Sequence, residues 1–144
     1  MLSNTSKYAI RATIYLAAHI TDQEKIGIKK ISEELGIPTP FLGKILQSLA
    51  RNKILSSTKG PNGGFGLSKN PAEITLLEII ETIDNSDFLH LCMISSKKCS
   101  ETKVKCCLHN NYSRLRDEFR DMLRAETIEN LVNDFRKGKQ RISI

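Results

Sequence analysis

The chain has 144 residues, of which 40% are hydrophobic and 26% charged, enough apolar material for one core or for one small domain with an extension. No uninterrupted apolar run approaches membrane-span length. The start, MLSNTSKYAIRATIYLAAHI, carries Arg11 in its apolar part and has no small-residue cleavage site, so no secretion signal is read and the cytoplasm is the expected location. The net charge of +6 is uneven: residues 1–70 hold ten Lys/Arg and four Asp/Glu, whereas residues 71–144 hold twelve of each, which favours a polyanionic partner for the first half.

In chain order, Thr5-Ser6 is a candidate cap for a first helix to about His19, apolar nearly all round through Tyr8, Ala9, Ala12, Tyr15 and Leu16. Lys7 and Arg11 lie near its start, within reach of a phosphate. Residues 21–24 read as a turn, and Ile26-Gly27-Ile28 as a short segment that pairs with a later hairpin. Ile28, Ile31 and Leu35 then share one helical face, and Gly36 stands where a left-handed C-terminal glycine belongs. After Ile37-Pro38, Thr39 is a candidate cap and Pro40 suits a first helical position. The following helix has Phe41, Leu42, Ile45, Leu46 and Leu49 as its buried stripe, leaving Thr39, Gly43, Lys44, Gln47 and Arg51 outward. Ile54–Thr58 and Phe65–Ser68 read as a hairpin around Lys59-Gly60-Pro61-Asn62-Gly63-Gly64, whose glycines permit a tight tip. Two helices on a short connector, the second with a small polar and basic outer face, followed by a basic hairpin, make a winged helix-turn-helix suited to a DNA major groove.

Pro71 ends the hairpin. Thr75 and Glu78 form a capping box for a helix Leu76–Asp84, with Leu76, Ile79, Ile80 and Ile83 on the core. Residues 85–107 are irregular and hold all four cysteines, a length that argues for a task of its own. Leu108, Tyr112, Leu115, Phe119 and Met122 then recur at steps of four, three, four and three, a coiled-coil seam read as a dimer interface. Thr127 caps a short last helix with Ile128, Leu131, Val132 and Phe135, and a basic tail follows. The expected class is mainly α with a small β-hairpin wing, divided as a DNA-binding domain 1–70, packing helix and connector 71–91, cysteine-rich loop 92–107, dimerisation and terminal helices 108–136, and tail 137–144.

Cys92 and Cys99, like Cys99 and Cys106, are separated by six residues, Cys107 follows directly, and His109 stands three past Cys106. If the long helix begins near Cys106, Cys106 and His109 share a face and three thiolates with one imidazole converge. Lys97, Lys98, Lys103 and Lys105 favour the thiolate form. Structural disulfides do not suit a cytosolic chain. Zinc usually takes closer ligand pairs, exposed thiols can switch by oxidation without metal, and an iron–sulfur cluster suits thiolates on a loop. His19 and His90 read as ordinary packing or surface histidines. Neither a phosphate-binding loop nor a nucleophile elbow is present, so no enzyme is expected.

The segments SKYAIRATIYLA, ISEELGIPTPFLGKILQSLARNKIL, STKGPNGGFGLSK and ITLLEIIETID, with Cys92, Cys99, Cys106 and His109 before the long helix, resemble the IscR-type family of bacterial winged-helix regulators, with its NsrR-like and BadM-like members. The resemblance implies a homodimeric transcription regulator, often a repressor, whose DNA affinity follows cluster state, with Cys92, Cys99, Cys106 and His109 as ligands and [2Fe–2S] ahead of [4Fe–4S]. Zinc, or no metal, are the other cofactor readings. Both cysteine gaps here are one residue longer than the commonest pattern, and Cys107 is an alternative fourth ligand. Lys7 stands where NsrR-like members have a ligating Asp, which favours His109. The expected partners are double-stranded DNA bearing a pseudo-palindromic operator, a second copy of the chain, and a regulatory or cluster-assembly protein, with no membrane. Lys44, Gln47 and Thr39 are assigned to bases, Lys59 and Asn62 to the wing's groove, and Lys7, Arg11 and Arg51 to phosphates. A cluster-free regulator controlled by thiol oxidation or a protein partner is the alternative.

Overall fold

Helix α1 (Asn4–His19) is the element on which the others assemble, touching α2 (Ile28–Leu35), α3 (Thr39–Arg51), β2 (Gly64–Leu67), α4 (Leu76–Asp84) and α6 (Ile128–Arg136). The structure is a computed structural model that describes residues 2–20, 24–84, 89–95, 97–98 and 105–137. Ala9 and Ala12 are fully buried, and their small side chains let neighbouring helices approach α1 closely. Thr13 is buried too, and its hydroxyl donates to the Ala9 carbonyl at 2.8 Å, which satisfies the polar group within its own helix. The cap is Ser3, not Thr5-Ser6: the Ser3 hydroxyl accepts from the Ser6 amide at 3.0 Å, and Ser6 is turned into the core.

The two helices of the helix-turn-helix close by the same device. At the end of α2, Gly36 adopts φ +63, and the Gly36 and Ile37 amides reach back to the Glu33 and Ser32 carbonyls. At the end of α3, Lys53 adopts φ +60, and the Lys53 and Ile54 amides return to Ala50 and Leu49. Both are Schellman closures, the first on glycine and the second on a residue that pays a steric penalty for the left-handed region. Thr39 is the first residue of α3 rather than its cap, which is Pro38. The Thr39 hydroxyl donates to Ser32 Oγ at 2.9 Å, and Ser32 Oγ donates to the Ile37 carbonyl at 2.6 Å, so the connector is laced from both sides.

Leu42, Ile45, Leu46 and Leu49 form the buried stripe of α3 as their spacing predicts. Phe41 falls at the edge of that stripe. It is 40% exposed and meets the Tyr8 ring edge-on at 5.8 Å, so its assignment to the buried stripe is corrected. Gly43 faces α2: a Cβ there would stand 3.3 Å from Ile28 Cδ1, and helix packing therefore accounts for the small residue.

Strands β1 (Leu55–Thr58) and β2 pair antiparallel with Leu55 opposite Leu67, and Ile26 extends the ladder through two 2.9 Å bonds with Phe65. A 3-10 turn over Pro71–Glu73 leads to α4. Thr75 Oγ1 accepts from the Glu78 amide at 3.2 Å, one half of the expected capping box. The other half is absent because the Glu78 carboxylate goes to Lys69 at 2.6 Å, tying the end of the wing to α4. Bonds from Leu76 to Glu126 and from Ile128 to Ile74 fasten the junction between α5 (His109–Ala125) and α6 onto the segment leading into α4.

The main core joins α1, α2, α3, the start of β1, α4 and α6, while a second cluster of Leu77, Ile80, Leu89 and Leu123 seats the far end of α5. No helix among the described residues is long and apolar enough to cross a membrane.

Candidate nucleic-acid interface and thiol centre

The outward face of α3 carries Lys44, Gln47 and Arg51, all exposed, and none of their side chains is in an ion pair with another described residue. A shallow recess between α3 and β1 is bordered by Gln47, Arg51 and Ser57. At the wing tip, Gly60 has φ +106 and its carbonyl accepts from the Gly63 amide at 2.9 Å, so Pro61 and Asn62 form the corner of a turn. A Cβ on Gly63 would lie 2.2 Å from the Thr58 carbonyl oxygen, which only glycine avoids. Lys59 and Asn62 are exposed at this tip, and Lys7 is exposed at the start of α1. Lys29 and Lys30 on the first turn of α2, and Lys53 after α3, are exposed cations that the sequence reading left out. Their signal was available in the charge pattern, but their placement needed the relative orientation of α2 and α3.

Two predicted contact residues are occupied within the protein. The Thr39 hydroxyl serves Ser32, as described above. Arg11 is partly buried and turned toward α2, where Nη2 donates to the Leu35 carbonyl at 2.9 Å. That carbonyl lies at the C-terminal end of α2, where a cation is favoured by the helix dipole. The guanidinium also lies 5.7 Å from the Tyr8 ring centroid. Arg11 thus braces α1 against the helix-turn-helix connector.

The Cys92 amide donates to the Lys97 carbonyl at 3.0 Å, closing a short turn. Cys92 Sγ and Cys106 Sγ, 14 residues apart in sequence, lie 3.5 Å from each other. That distance is too long for a disulfide, whose sulfurs are about 2.05 Å apart. It is close to the roughly 3.8 Å expected of two thiolates at tetrahedral positions about 2.3 Å from one metal. The hydrogen bond with Cys92, aided by burial, raises the Cys106 pKa above its ordinary value. A metal held by the two sulfurs would have to displace the proton they share.

The helix begins at His109 and not near Cys106; the Cys106 carbonyl instead accepts the His109 amide in the turn before it. Cys106 and His109 consequently do not share a helical face. Cys107 is exposed, and His109 is half-buried. Among the described residues no three His, Cys, Asp or Glu side chains converge. Cys99 lies outside the described residues.

Along α5 the expected seam divides. Leu108, Leu115 and Met122 are 39%, 59% and 47% exposed, while Phe119 leans onto the cluster of Leu77, Ile80, Leu89 and Leu123. Tyr112 is half-buried. Leu108, Tyr112, Leu115 and Phe119 with Leu89 and Met93 border an apolar groove.

A family model described as "Rrf2: Iron-dependent Transcriptional regulator" matches residues 2–134 of the chain. The chain belongs to the Rrf2 family. This Rrf2 protein is 33% identical over 134 residues to a putative HTH-type transcriptional regulator of Aquifex aeolicus, covering 92% of each chain. It is 31% identical to the HTH-type transcriptional regulator NsrR of Geobacillus kaustophilus, covering 92% of this chain and 90% of that one. Its fold is that of CymR of B. subtilis, with TM-score 0.78 at 20% identity over 92% of this chain and 96% of the other. It is also that of IscR of T. potens, with TM-score 0.76 at 18% identity over 99% and 93%. The protein is a DNA-binding transcriptional regulator and not an enzyme.

Proposed function

We propose that this Rrf2 protein is a homodimeric repressor acting in the cytoplasm, whose affinity for a pseudo-palindromic operator is set by an iron–sulfur cluster on its cysteine segment. The observation that carries the reading is the approach of Cys92 and Cys106 to 3.5 Å immediately before α5, the helix with the exposed apolar face. Cys92, Cys99 and Cys106 would hold the cluster with His109 or Cys107 as the fourth ligand. The group would supply a centre sensitive to redox state or iron supply, and [2Fe–2S] is preferred to [4Fe–4S].

In this reading Leu108, Tyr112, Leu115, Phe119 and Met122 join two copies, so that the α3 helices meet major grooves about 34 Å apart. Lys44 and Gln47 reach bases, Lys59 and Asn62 enter the flanking groove, and Lys7 and Arg51 hold phosphates. Arg11 is reassigned from phosphate contact to bracing the connector, and Thr39 to lacing it. Ligation of residues on both sides of the cysteine segment would fix the start of α5. A change of ~1.4 kcal/mol between dimer geometries alters DNA affinity tenfold if one geometry binds.

The test is anaerobic purification with iron and sulfide analysis and a visible spectrum, repeated with Cys106→Ala. Colour and stoichiometric iron in the parent, lost in the variant, support the reading; iron retained by Cys106→Ala removes the ligand assignment. The same thiol pair favours a second reading. Without metal, hydrogen peroxide would take two electrons and two protons from Cys92 and Cys106, giving one disulfide and water. Iron-free protein with peroxide-sensitive DNA binding would select it.

A further inference from the structure

We propose that the recess between α1, the end of α2 and α6 is a binding site for a small zwitterion of amino-acid size. Its volume is about 210 Å³, below the usual 300–1,000 Å³ of sites for drug-sized ligands, which suits an occupant of about amino-acid size. Arg11 and Glu34 bring opposite charges to the same recess. Neither is ion-paired with the other or with any other group among the described residues. Arg11 keeps Nη2 on the Leu35 carbonyl while its buried Nε has no hydrogen-bond partner among the described residues, so that remaining donor and the exposed Glu34 carboxylate match a molecule that carries carboxylate and ammonium together.

The apolar lining comes from Ile14, Ala18 and Phe135, and Phe135 is 39% exposed although aromatic. Tyr15 adds a phenol whose ring stacks on His19 at 4.3 Å, with His19 Nδ1 held on the Tyr15 carbonyl at 2.9 Å. Burial, and then the charge of Glu34, raise the Tyr15 pKa, consistent with a hydroxyl that remains a donor near that carboxylate. None of Tyr15, His19, Glu34 and Phe135 takes part in the DNA surface or the thiol centre. The recess also adjoins the reading head, because Arg11 holds the Leu35 carbonyl that immediately precedes the left-handed Gly36. An occupant bound through Arg11 would be sensed at the connector.

The test titrates the reduced full-length protein with each of the common L-amino acids, with acetate and methylamine as single-charge probes, by thermal shift and calorimetry. At least one amino acid is expected to bind and raise the unfolding temperature, with acetate and methylamine at least about tenfold weaker. The Gly36 and Ile37 amides should shift in the NMR spectrum on binding. Ala18→Phe, which fills the recess, should abolish binding, and Glu34→Gln should weaken it by about tenfold or more. Glu34→Gln carries the test alone if Ala18→Phe does not fold. The proposal is overturned if no amino acid binds, if acetate binds as tightly, if the Gly36 and Ile37 amides stay unshifted, or if affinity survives the substitutions.

Discussion

The Ser3 hydroxyl donates a 2.6 Å hydrogen bond to Asp84 Oδ1, across 81 residues of sequence. Asp84 Oδ2 accepts from the Ser6 hydroxyl at 2.8 Å and from the Ser3 amide at 3.3 Å, so one carboxylate holds the whole entry of α1. Its charge also opposes the positive end of the α1 dipole. Because Asp84 is the last residue of α4, the clamp joins the start of α1, with Lys7, to the point where the cysteine segment departs. Asp84→Ala should cost about 2–3 kcal/mol, the usual loss when hydrogen bonds to a charged partner are removed and donors are left partly buried. Urea denaturation at constant slope checks this; a loss below about 0.5 kcal/mol, the range of ordinary surface substitutions, would show that the clamp contributes little.

Lys53 offers a change of opposite sign. It occupies a left-handed conformation at φ +60 that glycine adopts without a Cβ clash, and its side chain is exposed. Lys53→Gly should therefore raise stability by about 0.5–1 kcal/mol. The thermal midpoint measures it directly. If DNA affinity also falls, Lys53 joins the phosphate-contacting set.

The exposed half of the α5 seam separates folding from association. Leu115 is 59% exposed in the single chain, so if the proposed dimer forms along α5, Leu115→Glu should leave folding intact while abolishing that dimer. Sedimentation equilibrium together with circular dichroism reads both quantities. A variant that stays dimeric would move the interface elsewhere.

Tyr15 gives a dependence on alkaline pH. Its pKa is raised from 10.0 by burial and then by Glu34, so the folded state keeps a proton that the unfolded chain releases. The stability from this group is present below pH 10 and is lost as pH rises through the folded value. Glu34→Gln should lower the Tyr15 ionisation midpoint, followed by phenolate absorbance against a Tyr15→Phe control. An unchanged midpoint would remove Glu34 as a cause.

Local chemistry carried most of the secondary structure. The stripe Leu42, Ile45, Leu46 and Leu49, the left-handed Gly36, the Gly60–Gly63 turn, the Leu76–Asp84 helix and the Thr127 cap each depend on residues within a few positions, which a linear reading sees. Of the candidate site only the exposure was legible: α3 and the wing expose Lys44, Gln47, Lys59 and Asn62 as their period requires. Residue choice alone did not settle which partner a polar side chain takes. Arg11 turns to Leu35, Glu78 leaves its capping box for Lys69, Thr39 serves Ser32 and Asp84 gathers Ser3 and Ser6. Helix α5 starting at His109 likewise separates Cys106 from the face assumed for it, while folding brings Cys92 to Cys106. Each of these outcomes is a competition between hydrogen bonds worth about 1 kcal/mol apiece. The winner is decided by which distant segment is packed alongside, and that is set only when the core closes.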